Sequence, residues 1–140
     1  MKIYIAGPFF NEMEINNVKY VEELLSDKGI SYFSPMRHSV EDEEPGTSAW
    51  ARKVFELDRA AIQDCDAVLM LYYGNYSDSG TAWECGYAYA EGKPVILVHI
   101  HGNDSNLMMH CGCHSNIGLS ELAGYDFESM PVYDYAGKMF

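Results

Sequence analysis

The stretch AVLMLYYGNYSDSGTAWECGYAYAEGKPVILVHI, residues 67–100, decides the fold. Ala67 to Tyr73 are apolar or aromatic without a break, the composition of a strand buried on both faces. A polar loop from Gly74 to Gly80 follows, and Thr81 to Ala90 then reads as a helix stopped by Gly92 and Pro94. A second apolar run, Val95 to Ile100, begins at once. Two buried strands joined through one helix form a βαβ unit, because parallel strands need a crossover of this length.

Working outward, the alternation continues. Residues 2–6, KIYIA, form an opening strand that Gly7-Pro8 ends, and Ile15, Val18, Val21, Leu24 and Leu25 recur at helical spacing until Gly29. Ile30 to Phe33 is a short second strand closed by Ser34-Pro35, and the acidic EDEE at 41–44 marks a surface loop. Thr47 or Ser48 caps a second helix whose apolar face is Trp50, Val54, Leu57, Ala61 and Ile62. Four strands alternating with three helices predict an α/β fold, a small doubly wound parallel sheet with helices on both faces. Beyond His101 the pattern weakens to a loop at 102–104, a short helix near 106–109, a turn or helix over 121–126 and a last strand in the tail MPVYDYAGKMF.

The chain has 140 residues, of which 48% are hydrophobic and 21% charged, so it reads as one globular domain over 1–140 rather than a disordered chain. A net charge of -12 repels a nucleic-acid backbone or an anionic membrane and leaves small neutral substrates open. The apolar run at the start is too short for a signal-peptide core and nowhere do 18 apolar residues run together, so the expected location is cytoplasmic, with Cys65, Cys85, Cys111 and Cys113 as reduced thiols.

Ligands of open α/β sheets bind beyond the carboxyl ends of the strands. The residues there are Gly7, Pro8, Phe9 and Phe10 after the first strand, Asn75, Asp78 and Ser79 after the third, and His99, His101, Asn103, Asp104 and Asn106 after the fourth. AGPFF lacks the glycine pattern of a phosphate cradle, and Pro8 removes an amide donor, so its two aromatics either stack on a flat heterocycle or pack the domain. Asp78 and Glu84 stand six positions apart on one helix, spaced to share a cleft. Such a pair divides labour between nucleophile and acid when its surroundings separate the two pKa values, although acids also crowd helix N-termini for dipole reasons alone. Glu84 is the only charged side chain from Gly80 to Ala90, and a desolvated carboxylate is a reactive one. The plainer account is a helix-start Glu bonded to a loop amide. Asp58, at the end of its helix, and Asp66, before a strand, have equally plain accounts as capping or solubilising acids. His110-Cys111-Gly112-Cys113-His114 holds zinc-type ligands, but C-x-C with no second pair matches no common zinc arrangement, so neither metal nor cofactor is expected.

Four pieces in order, KIYIAGPFF (2–10), ELDRAAIQDCDAVLM (56–70), SDSGTAWECGYAYAEGKPVILV (77–98) and NLMMHCG (106–112), resemble the nucleoside 2-deoxyribosyltransferases over nearly the whole chain. The resemblance implies a flavodoxin-like sheet and transfer of a 2-deoxyribosyl group from a 2'-deoxynucleoside donor to a free nucleobase acceptor. In the family pattern D-x-G-x-x-x-E-x-G-x-A, filled here by Asp78, Gly80, Glu84, Gly86 and Ala88, the glutamate is the nucleophile. By the same resemblance Tyr4 orients Glu84, Asp78 and Asp58 contact and help protonate the base, Gly7 and Phe10 lie against it, and Asn106 and Met108 reach into an adjacent subunit's site. A homo-oligomer is thereby implied. The family commonly ends in tyrosine, whereas Phe140 is last here.

The chemistry agrees with that resemblance. A carboxylate below the anomeric carbon captures the sugar as an ester while a second acid protonates the departing nitrogen, and an incoming base reverses the sequence with retained configuration. Apolar Phe9, Phe10, Trp83 and a neighbour's Met108 are placed to keep water from the ester. Two competing readings stand beside it. A deoxynucleoside 5'-monophosphate N-glycosidase, giving the sugar to water, calls for phosphate-binding groups that Pro8-Phe9-Phe10 does not offer. A non-catalytic nucleoside-binding module has no need of Glu84.

Overall fold

The structure is a computed structural model and describes residues 1–74, 77–102 and 104–140. Asn75 and Asn103, named above, lie outside the described residues. The elements run β1 (Lys2–Ala6), α1 (Glu12–Asp27), β2 (Ser31–Phe33), α2 (Ser48–Asp64), β3 (Ala67–Tyr72), α3 (Ser79–Ala90), β4 (Val95–His99), β5 (Asp104–Ser105), α4 (Leu107–Gly112), β6 (Ser115–Gly118) and β7 (Lys138–Met139). One turn of 3₁₀ helix follows β2, at Pro35–Arg37, and two turns follow β6, at Leu119–Gly124.

Five strands make a parallel sheet in the order β2-β1-β3-β4-β6. This is the doubly wound architecture expected from the alternating pattern. The expected four strands are joined by β6, whose sequence SNIG pairs Ile117 with Val98 at the sheet edge. Only Ser115 and Ile117 of that strand are buried, so it carries too little apolar alternation to stand out in sequence. The tail strand β7 exists as expected but pairs in parallel with β5, away from the main sheet.

Side chains alternate across the sheet. Ile3, Ile5, Leu69, Leu71, Ile96 and Val98 meet Val18, Val21 and Leu25 of α1 on one face. Tyr4, Ala6, Val68, Met70 and Leu97 meet Ala61 and Ile62 of α2 and Cys85 and Ala88 of α3 on the other. Both faces are covered, which is why these strands read as unbroken apolar runs. Gly7, directly after β1, is tightly packed: a Cβ there would stand 3.1 Å from Leu71 Cβ, so glycine lets the chain leave β1 against β3.

Helix boundaries follow their caps. Asn11 accepts from the Glu14 amide at 3.0 Å to start α1, four residues before Ile15, the first position of its apolar series. Thr47 caps α2 through the Trp50 amide at 3.2 Å. The α2 face differs from expectation, because only Ala61 and Ile62 are buried while Trp50, Val54 and Leu57 are half-buried. At about 1.5 Å per residue this helix is about 25 Å long, against about 17 Å for a five-residue strand, and its first half overhangs the sheet. Asp58 consequently lies inside α2 rather than at its end.

Leu69 is fully buried at the centre of β3. Leu69→Ala should lower the unfolding free energy by about 2–5 kcal/mol. Urea titration checks this, with the midpoint falling and the slope unchanged.

Candidate active site

Tyr4 lies in β1 with its ring toward α2 and α3, and Glu84 occupies the second turn of α3 above it. The Tyr4 hydroxyl donates to Glu84 Oε1 at 2.7 Å. Glu84 is therefore not a helix-start acid bonded to a loop amide; its partner is a buried phenol brought from 80 positions away. Burial first, with the charges of Asp58 and Asp78 adding to it and the Tyr4 bond pulling the other way, pushes the Glu84 carboxyl up to about 7. Burial also drives the Tyr4 phenol far above its ordinary value, so it is a donor at every working pH.

Asp58 of α2 and Glu84 line one cavity of about 300 Å³, together with Phe55, Arg59, Ile62, Gly80 and Trp83. Burial raises the Asp58 carboxyl to about 6, and the opposing influence comes from His38. His38 follows β2, its ring stacked on Phe33 at 4.1 Å and Phe33 in turn on Tyr4 at 5.6 Å. Asp78 is the N-cap of α3: its Oδ2 accepts from the Thr81 amide at 2.8 Å and the Thr81 hydroxyl at 2.9 Å. The capping account thus holds for Asp78, and its charge still reaches Glu84. Asp66 accepts from the Lys2 amide at 2.7 Å, at the start of β1 and β3, and so stands at the opposite end of the sheet from the ligand edge.

The loop after β1 leaves its aromatics outside the core. Phe9 and Phe10 are 39% and 79% exposed, with rings 6.2 Å apart. Neither ring belongs to the buried core on either face of the sheet.

Asn106 and Met108 line a different cavity, of about 510 Å³, that also takes Tyr72, Cys85, Tyr89 and Met109. Neither residue lines the Glu84 cavity of its own chain. Asn106 caps α4 by accepting from the Met108 amide at 3.0 Å, and its own amide donates to the Tyr72 hydroxyl at 2.8 Å. Phe140 brackets this segment, donating to Ser105 O at 3.1 Å and accepting from the Leu107 amide at 2.8 Å. Met108 is left 73% exposed.

In the 110–114 segment the Cys113 thiol donates to His110 O at 3.1 Å, His114 Nε2 lies 2.8 Å from Met130 O, and Cys111 is exposed. Among the described residues no three His, Cys, Asp or Glu side chains are grouped to hold a metal, and no helix is long and apolar enough to cross a membrane. Sequence reasoning did not assign Phe55 or Arg59 to the site, while Gly80 entered only as a position of the family pattern. The spacing of Phe55, Asp58, Arg59 and Ile62 at i, i+3, i+4 and i+7 is the signal that puts them on one helix face.

A five-strand parallel sheet thus carries a phenol-held carboxylate on α3 and a second raised carboxyl on α2, both lining one cavity. The family model of nucleoside 2-deoxyribosyltransferases matches residues 3–127, and the chain belongs to that family. Over 96% of its length it superposes on 99% of a 2-deoxyribosyltransferase from Bacillus psychrosaccharolyticus, with a TM-score of 0.90 and 37% identity. It is 35% identical over 94 residues to a nucleoside deoxyribosyltransferase of Lactobacillus johnsonii, matching 65% of this chain and 63% of that one. A Lactobacillus leichmannii nucleoside deoxyribosyltransferase is 32% identical over 95 residues, 65% of this chain and 60% of that one, so the match spans less than two thirds of either relative's length. A CMP N-glycosidase of Clostridium botulinum, at 19% identity and a TM-score of 0.65, shares the fold.

The raised carboxyl has a thermodynamic consequence. Its folded-state value of about 7 lies above the ordinary 4.5, so its contribution to stability is complete below pH 4.5 and is lost as pH rises through 7. Glu84→Gln, which keeps an acceptor for Tyr4, should therefore melt a few degrees higher than the wild type above pH 7. The gap should close below pH 4.5, as differential scanning calorimetry will read.

Proposed function

We propose that this chain exchanges the nucleobase of 2'-deoxynucleosides by a retaining double displacement through a deoxyribosyl ester on Glu84. The observation that carries the reading is the 2.7 Å bond from the Tyr4 hydroxyl to Glu84 Oε1, which orients the carboxylate and leaves Oε2 as the attacking atom. In the first half, Oε2 bonds to the anomeric carbon from below as the carbon–nitrogen bond breaks. The electron pair passes to the base nitrogen, and the protonated Asp58 carboxyl supplies the proton. In the second half a free base attacks the same carbon from above, the ester bond breaks, Glu84 regains its charge, and Asp58 takes back a proton from the incoming base. Two inversions retain the configuration.

Asp78, at the start of α3, adds a charge near Glu84 and contacts the base, while Gly7 and Phe10 flank that base from the loop after β1. Asn106 and Met108 serve the Glu84 site of a neighbouring copy, since in their own chain they line a separate cavity. The working form in this reading is a homo-oligomer, and the free cysteines accord with a reducing, cytoplasmic setting.

Given a 2'-deoxynucleoside and a different free base, the protein should form the exchanged deoxynucleoside, followed by chromatography. Glu84→Ala should lose at least about 1,000-fold in kcat, the scale of removing an essential group. Full exchange by that variant removes the nucleophile assignment, and free deoxyribose as sole product from the wild type selects the hydrolase instead. Glu84, at about 7, holds a shared proton more tightly than Asp58, at about 6, so the competent form with Glu84 ionised and Asp58 protonated is the minor arrangement of the one-proton pair, and kcat/KM should follow a bell with its maximum between about 6 and about 7. Shared sites are tested by co-refolding Glu84→Ala with Asn106→Asp. Each alone should be nearly inactive and the mixture active, whereas an inactive mixture excludes an exchanged Asn106.

A further inference from the structure

Phe55 and Trp83 are large apolar groups at the Glu84 cavity, and the fold leaves them 44% and 48% exposed. Their ring centroids are 5.0 Å apart with the planes tilted by 59°, so they make a corner rather than a closed stack. Trp83 is backed by Tyr87, stacked at 5.4 Å and 11°, and the Tyr87 hydroxyl is tied to Arg59 Nη1 at 3.4 Å. The indole is thus braced from its own helix while it also lines the cavity that holds Asp58 and Glu84.

We propose that the Phe55–Trp83 corner is the stacking wall for the nucleobase, a specificity-determining contact that rests on the base-exchange reading above. A flat heterocycle needs an apolar wall for its face and hydrogen-bonding groups for its edge. The cavity supplies both, aromatic rings from α2 and α3 and two carboxyl groups beside them. Those carboxyl groups disfavour an anionic occupant and suit a neutral one that donates and accepts. At about 300 Å³ the space is at the small end of ligand sites, fitting one base and not a dinucleotide. The corner adds to the Phe9–Phe10 pair, which lies in the loop after β1 and stacks on itself.

The chain has two tryptophans, so Trp50→Phe leaves Trp83 as the sole indole emitter. Free adenine or cytosine titrated into that protein should quench its emission saturably. Trp83→Leu should raise KM for the acceptor base about ten-fold with a smaller effect on kcat, the range of one lost base–aromatic stack, while Trp83→Phe keeps KM within about two-fold. An unquenched Trp83, or an unchanged KM in Trp83→Leu, in protein that exchanges bases overturns the wall and leaves the exchange reading standing. Saturable quenching in protein that exchanges nothing supports the wall and removes the exchange reading. A blue emission that shifts red on dilution, with no response to base, identifies a second copy as the occupant and overturns the proposal.

Discussion

A carboxyl group withdrawn from water against the face of a parallel sheet needs a donor, and here that donor is a phenol equally withdrawn. Tyr4 is fully buried in β1, and its hydroxyl meets Glu84 at 2.7 Å. Each group satisfies the other, so removing either leaves a polar atom without its partner in a poorly solvated place. The contact sets how close α3 must lie. Cys85 and Ala88, small side chains on the inner face of that helix, let its backbone settle onto the sheet beside Tyr4. The helix N-terminus is fixed separately by Asp78 through Thr81.

That one distance organises the electrostatics. With Glu84 held in place, Asp58 approaches from the next helix, and the two carboxyl groups share a cavity with their ordinary ionisation displaced upward by burial. Among the described residues no cation forms an ion pair with either: Arg59 bonds to Glu56 at 2.8 Å, and His38, stacked over Phe33, acts on Asp58 only through its charge. Two acids so placed share a proton between them, the property on which the proposed base exchange relies.

The central strands were legible because burial on both faces leaves runs such as AVLMLY with no polar interruption. β6 was not, since two inward residues, one of them Ser115, resemble loop sequence. Glu84 stood out as a lone charge in an apolar helix, and Asp78 by its position six residues earlier. The Tyr4 contact could not be read from spacing, because nothing local relates residues in β1 and α3; it came from resemblance to a family. Phe55 and Arg59 were hidden for the opposite reason. Their period is that of any amphipathic helix, and only the overhang of α2 beyond the strands turns a core face into the wall of a cleft.

The buried carboxylate and its donor belong to opposite halves of the described chain, and joining them closes a very long loop. No isolated hairpin or lone helix can present this contact, and a partly opened molecule that has released β1 loses it; in the proposed reading it is then inactive. Native-state proton exchange at the β1 amides and turnover would then fade together under denaturant, as one foldon, while the fraying ends of α4 or β7 would exchange long before. An assay of catalysis becomes, in such a protein, a gauge of whether its first strand is docked.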